Sequence, residues 1–337
     1  MADKNTLRSK LDLPLVVAPM FLISNPKLAL ACCGEGIVGS FPALNQRTNA
    51  GLEQWLIEMN DGLKKLKQDH PNKTVAPYAV NLIVHPTNPR LQEDLDLCVK
   101  YKVPIIITSL GAVPELVKKV HSYGGIVLHD VTTIRHAKSA AKAGVDGLIA
   151  VSVGAGGHAG TMNPLTLVKE IREFFDGIIA LAGGLTSGAD ILAAKAMGAD
   201  VAYMGTRFIN TTESSAAQDY KDMICKANAS DIIYTDAVSG VPANFIRQSL
   251  EKAGYNIKKL QRSSASGPKL KSLESEAKAW KNIWSAGHGV SNIDDIPSVR
   301  DLVQKMKQEY AATQQKIAPK VPNTSQKNTP KSPKFKN

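Results

Sequence analysis

Seven consecutive residues carry the densest chemical signal in the chain: Gly154-Ala155-Gly156-Gly157-His158-Ala159-Gly160. Four glycines surround one histidine. Such a loop can set an imidazole beside a flat ring with no side chain in the way. Imidazole titrates near neutrality and can take a proton from a carbon acid. A structural histidine in a flexible loop is the plainer alternative. The second signal is a pair of turns, Ala182-Gly183-Gly184 and Met204-Gly205-Thr206. Glycine lets backbone N–H groups approach an anion, and Thr206 adds a hydroxyl. Together with a nearby helix N-terminus the two turns read as a phosphate cradle. The alternative is that these glycines only make tight turns. Asn81, a polar residue in an apolar run, is a candidate ligand contact or an Asx turn.

Other chemistries find little support. His85, His121, His129 and His136 have no partners at metal spacing, so no metal site is expected. Cys32 and Cys33 are adjacent, Cys98 and Cys225 are isolated, and no C-x-x-C occurs. They read as reduced, buried thiols. No G-x-S-x-G suggests acyl transfer. No paired carboxylates stand at strand ends, as glycoside hydrolysis would need.

The elements that must position these residues follow from periodicity. Short apolar runs recur at 15–18, 36–39, 76–81, 104–108, 126–129, 147–151, 178–182 and 201–204, with starts 21 to 40 residues apart. That spacing is near the ~30 residues of a βαβ unit. Runs that are apolar throughout suit strands covered on both faces. Helical patterns lie between them, among them 133–143 and 186–197. Ala143-Gly144-Val145-Asp146 and Met197-Gly198-Ala199-Asp200 each close a helix with glycine before a strand, and Gly34 reads as the same device. Eight units, with no G-x-G-x-x-G after the first strand, predict a (β/α)8 TIM barrel rather than a doubly wound sheet. Chemistry in a barrel sits at the C-terminal strand ends. The motifs above fall there, as does Ala18-Pro19-Met20.

After Phe208 the rhythm changes. A helix over 210–229, a strand over 232–235, a helix near 244–253 and a loop over 262–271 are expected, with helical pieces returning at 280–285 and 298–310. The predicted organisation is a barrel over 1–218 and 282–315, a small α+β domain at 219–281 appended after strand eight, and a disordered basic tail over 316–337.

The 337 residues are 43% hydrophobic and 21% charged, a globular composition. No apolar run reaches the ~18–20 residues of a membrane span, and the N-terminus lacks signal-peptide features. A cytoplasmic location is expected. Of the net charge of +11, residues 316–337 carry +6 and residues 247–281 another +6, leaving −1 elsewhere. A near-neutral barrel argues against a nucleic-acid partner. Phe335 is the one aromatic residue among the tail lysines, which gives little for base stacking. Lys258-Lys259 and the lysines at 269 and 271 read as solvated surface.

On Ala18-Pro19-Met20, Asn81-Leu82, the His158 loop with Thr161, Ala182-Gly183-Gly184 and Met204-Gly205-Thr206-Arg207-Phe208, the chain resembles the nitronate monooxygenase family over about residues 11–310. The resemblance implies a barrel that binds FMN. It maps the phosphate site to Gly183, Gly184, Gly205 and Thr206, and ring contacts to Pro19, Met20 and Asn81. Gly156 and Gly157 join the cofactor-binding set. It maps the catalytic base to His158. The implied substrates are a small nitronate and O2, the products a carbonyl compound and nitrite, and the implied assembly is a monomer or homodimer. Some relatives carry a lysine after strand five, where this chain has His129-Asp130. Ser152-Val153 likewise departs from the Glu-containing loop of some members. The Gly-Gly-His-x-Gly loop is shared mainly with flavin-dependent enoyl-acyl-carrier-protein reductases. An NAD(P)H-dependent flavin reductase of that type is therefore the alternative, and a non-catalytic flavin-binding module a third reading. An IMP-dehydrogenase-like barrel would need a cysteine in the loop after strand six, and none is there.

Overall fold

Alternation within the apolar runs decides the architecture. The structure, a computed structural model, describes residues 7–111, 113–238, 240–260 and 282–318. In the strand Ile105–Ser109, Ile105 and Ile107 join one buried cluster and Ile106 another. The strand Gly147–Val151 does the same, with Ile149 and Val151 on one side and Leu148 and Ala150 on the other. Successive side chains of a strand point to opposite faces, so a run that is apolar on both faces must be covered on both. The first cluster is the barrel interior. The second is the layer between barrel and helices, where Ile179 and Leu181 meet Leu167, Val168 and Ile171. Fully burying such a side chain contributes about 1.5–3 kcal/mol.

Eight parallel strands form the barrel: β1 Leu15–Val17, β2 Gly39–Pro42, β3 Tyr78–Ile83, β4 Ile105–Ser109, β5 Ile126–Val131, β6 Gly147–Val151, β8 Ile178–Ala182 and β9 Val201–Met204. Their order is β1-β9-β8-β6-β5-β4-β3-β2, and a bridge between Val16 and Val38 joins the two ends. The helices between them are α1 Pro26–Gly34, α2 Asn49–Asp69, α3 Leu91–Lys100, α4 Pro114–His121, α5 Ile134–Lys142, α6 Pro164–Arg172, α7 Gly188–Ala196 and the short α8 Thr206–Ile209. The fold is the (β/α)8 TIM barrel expected from the sequence.

Details differ. The second strand pairs with β3 through Gly39–Pro42, not through 36–39. Gly36 is a turn residue at φ 77°, and it, not Gly34, takes the left-handed conformation after α1. Ser40 hides the strand from a hydropathy reading, yet its Oγ donates to Val17 O at 2.5 Å and so is satisfied in the wall. Gly144 and Gly198 do adopt positive φ, 86° and 103°.

After β9 come α9 Gln218–Lys226, β10 Ile232–Thr235, β11 Ala243–Ile246, α10 Arg247–Lys252 and α11 Val299–Ile317. The helix expected over 210–229 is confined to α9. The residues read as a helix near 244–253 begin as strand β11, antiparallel to β10. A third, two-residue strand, β7 Gly157–His158, comes from the histidine loop and pairs with β11. Glycine-rich sequence gave no strand signal there. Val238, Ala243, Phe245, Leu250 and Ile283 form the small core of this region. Tyr220 and Ile224 of α9 pack instead with Leu15, Val17, Leu28 and Leu302, on the barrel side of the division drawn at 218/219. The expected loop at 262–271, the lysines at 269 and 271, and tail residues 319–337 lie outside the described residues. Among the described residues, no helix is long and apolar enough to cross a membrane.

Candidate active site

The C-terminal strand ends converge on one open cavity of about 1290 Å³. Pro19, Met20, Asn81, Gly156, Gly157, His158, Gly183, Gly184, Gly205 and Thr206 all line it. A pocket for a single small ligand occupies ~300–1,000 Å³, so this cavity has room for two molecules.

One wall is built from backbone. Gly183 sits at φ 136°, and a Cβ there would lie 2.2 Å from Ser152 Oγ and 2.8 Å from Val153 O. Ser152 cannot yield easily, because its hydroxyl donates to Ala182 O at 2.7 Å. Gly184 follows at φ 71° and borders open space. Gly205 has ordinary φ, and a Cβ would meet Ala18 and Met20 at 3.5–3.8 Å. Thr206 Oγ1 accepts from Gly287 N–H at 3.0 Å, which leaves its own O–H to donate. The N-terminus of α7 is no part of this cradle. Asp190 Oδ2 accepts from the N–H groups of Thr186 and Ser187 at 2.8 and 2.9 Å, and Glu309 Oε2 accepts from Gly188 N–H at 2.8 Å. Two carboxylates already satisfy that helix end and would repel an anion.

The Ala18-Pro19-Met20 turn is fixed from behind. Met20 N–H donates to Ser24 Oγ at 2.9 Å, and Asn45 Nδ2 donates to Met20 O at 3.1 Å.

The rest of the lining uses side chains. His158 is half-buried on β7, opposite Ala243. Its loop is stapled at three points. Gly157 N–H donates to Ser285 Oγ at 2.6 Å, Asn244 Nδ2 to Ala155 O at 2.7 Å, and Tyr234 Oη to Ala159 O at 3.1 Å. A Cβ on Gly156 would lie 2.9 Å from Gly287 N, so the loop also needs glycine for close approach. The loop, flexible in the plainer alternative, is thus held by Ser285 and the small sheet.

Asn81, which also lines the cavity, is buried and makes no Asx turn. Its Nδ2 donates to Ile107 O at 3.2 Å and to Ser109 Oγ at 2.9 Å. Ser109 Oγ in turn donates to Asp130 Oδ2 at 2.5 Å. Burial pushes the Asp130 carboxyl up to about 6, while the Ser109 hydrogen bond and the nearby His158 charge pull it down. Ser109 and Asp130 were missed as site residues. The signal was available, since each is a polar residue near the C-terminal end of a largely apolar strand.

The remaining histidines do other work. His129 is buried with Nδ1 2.7 Å from Thr108 Oγ1, and burial pushes it down to about 4, so it stays neutral. His121 Nε2 meets Asp146 Oδ2 at 2.7 Å outside the barrel. Among the described residues, no three His, Cys, Asp or Glu side chains are grouped to hold a metal. Cys32, Cys33 and Cys98 are buried, and burial pushes the Cys33 thiol up to about 12.

Comparison with known proteins follows the same line. The family model described as nitronate monooxygenase matches residues 5–309. A nitronate monooxygenase of Paraburkholderia phytofirmans is 27% identical, covering 72% of this chain and 76% of that protein. A Mycobacterium tuberculosis relative is 29% identical, and the chain spans 62% of its length. Among solved structures, nitroalkane oxidase from Streptomyces ansochromogenes aligns at TM-score 0.77 and 24% identity, over 93% of this chain and all (100%) of that one. FabK from Thermotoga maritima aligns at TM-score 0.73 and 24% identity, over 92% and 97%. The structural likenesses show the fold.

Proposed function

Because the chain belongs to the nitronate monooxygenase family, we propose that it is an FMN-dependent oxidoreductase. Its reaction converts alkyl nitronates, and nitroalkanes once deprotonated, with O2 into carbonyl compounds and nitrite. The observation that carries this reading is one cavity lined by His158 and by the Gly183-Gly184 and Gly205-Thr206 turns. The residues fit the cofactor. Gly184 borders open space where a phosphate can approach its backbone, Thr206 has a hydroxyl proton to donate, and no carboxylate lines the glycine wall. Gly183, Gly184, Gly205 and Thr206 would hold the phosphate, and Pro19, Met20, Asn81, Gly156 and Gly157 would flank the ring. When bound, FMN supplies the electron transfer between nitronate and O2.

The chain's own residues do the rest. His158 takes the α-proton of a neutral nitroalkane on an imidazole nitrogen; a nitronate arrives already deprotonated. Tyr220 and Trp284, stacked 4.9 Å apart in the cavity lining, present apolar surface that helps exclude water from the site. The purified protein should be yellow with a flavin spectrum, and should release nitrite from propionate 3-nitronate only when O2 is present. A colourless protein that FMN does not reconstitute sinks the cofactor reading. The cavity volume also favours a second reading, a reductase of the enoyl-acyl-carrier-protein type with a long substrate. Anaerobic bleaching by NADPH without nitrite release would select it.

A further inference from the structure

The function above leaves one cavity carboxylate without a task. Asp130 is the penultimate residue of β5 and lines the same cavity as His158. Its anchor runs across three consecutive strands, β3, β4 and β5. Asn81 Nδ2 donates to Ser109 Oγ at 2.9 Å, and Ser109 Oγ donates to Asp130 Oδ2 at 2.5 Å. Because the amide can only donate, the hydroxyl proton must point at the carboxylate. The relay therefore holds Asp130 in one orientation, as an acceptor, and the His158 loop returns beside the end of β5, where a Cβ on Gly160 would lie 3.1 Å from Thr132 O.

Resting on the function proposed above, we propose that Asp130 is the positioning residue of His158: its carboxylate stabilises the imidazolium formed when His158 deprotonates a neutral substrate, and the same charge disfavours a preformed nitronate anion. The proton balance is simple. The substrate C–H bond breaks, its electron pair stays on the substrate as nitronate, and the proton goes to the imidazole. Asp130 stays ionised throughout. A cation beside a carboxylate in a partly desolvated site is favoured over either charge alone.

Other polar groups facing the cavity do not supply this charge. Arg90 is engaged by Asp94 at 2.7 Å. His129 is kept neutral by burial. Tyr203 is pushed far up by burial and by Asp130 itself, so it stays a phenol. His85 Nδ1 is 2.8 Å from Thr87 Oγ1, and His136 lines the cavity from α5. Since burial lifts Asp130 to about 6, nitroalkane turnover should fall as pH drops through that value.

The test has two arms. Carbon-13 NMR of the Asp130 carboxyl in the purified full-length protein should titrate near 6, and higher in both His158→Gln and Ser109→Ala. A midpoint unmoved by His158→Gln breaks the pair, whatever the enzyme turns over. In kinetics, Asp130→Asn should lose about 10- to 100-fold in kcat on nitroethane while its KM for ethyl nitronate falls. Asp130→Glu should restore part of the nitroethane rate. Equal losses on both substrates, or unchanged nitroethane turnover, overturn the proposal. Ser109→Ala gives the same contrast more weakly if Asp130→Asn does not fold. If the wild-type protein turns over neither substrate, the function proposed above fails and the NMR arm still decides the pair.

Discussion

The two walls of the cavity solve different problems with different parts of the chain. The wall at β8 and β9 works by leaving side chains out. Its Gly183-Gly184 turn depends on backbone conformations that L-residues avoid and on a contact with no space for a Cβ, whereas Gly205 has ordinary φ and room for a methyl. The wall at β3 to β5 and β7 works by side chains held in relays, Asn81 to Ser109 to Asp130 on one part and His158 stapled by the small sheet on another. A backbone wall should be intolerant of added atoms and indifferent to pH. A side-chain wall should tolerate isosteric changes in folding but respond to pH and charge.

Substitutions can break that comparison. The largest effect is expected from Gly183→Ala. Left-handed strain and the 2.2 Å approach to Ser152 Oγ act together. A loss of roughly 3–5 kcal/mol in stability is expected, with loss of bound flavin at every pH. Thermal melts and flavin content check it. Next is Asp130→Asn. Burial raises this carboxyl from 3.8 to about 6, so the folded state binds its proton more tightly than the unfolded chain does. Wild-type stability contributed by this group is present below pH 4 and is lost as pH rises towards 6. The Asn variant should therefore match the wild type near pH 4 and be more stable above pH 6, by at most about 3 kcal/mol at ~1.4 kcal/mol per pKa unit. Denaturant titrations at the two pH values read this directly. An advantage already present at pH 4 would assign it to something other than ionisation.

Gly184→Ala should cost about 1 kcal/mol, because only its φ of 71° is strained and nothing stands in the way of the methyl. If Gly184→Ala proves as damaging as Gly183→Ala, the packing argument at Ser152 is wrong. Smallest is Thr206→Val, which removes the acceptor of Gly287 N–H and should cost about 1 kcal/mol or less. Its flavin affinity should weaken at the same time, which a fluorescence titration measures.

The two walls also differ in how well the sequence announced them. Apolar runs spaced like βα units gave the barrel, because strands covered on both faces leave an unbroken hydropathy signal. Gly-Gly after one strand and Gly-Thr after the next marked the backbone wall, since glycine is the residue that such turns require. The side-chain wall was legible only in pieces. His158 stood out among glycines, but β7 did not, because two residues between glycines carry no period. Ser109 and Asp130 were passed over, as their meaning depends on β4 and β5 being neighbours in register. Gly34 was read as a helix cap, while the turn is made two residues later by Gly36. The helix N-terminus of the cradle went unspecified in the sequence, and the contacts from Asp190 and from Glu309, 121 residues from Gly188, show that the α7 N-terminus is already filled.

The division of labour is tested most directly by one preparation of His158→Asn, assayed for bound flavin and for turnover of nitroethane and of ethyl nitronate. The account predicts flavin content equal to the wild type, nitroethane turnover down by about 10²–10⁴, and nitronate turnover reduced far less. Loss of flavin, or equal loss on both substrates, would contradict it.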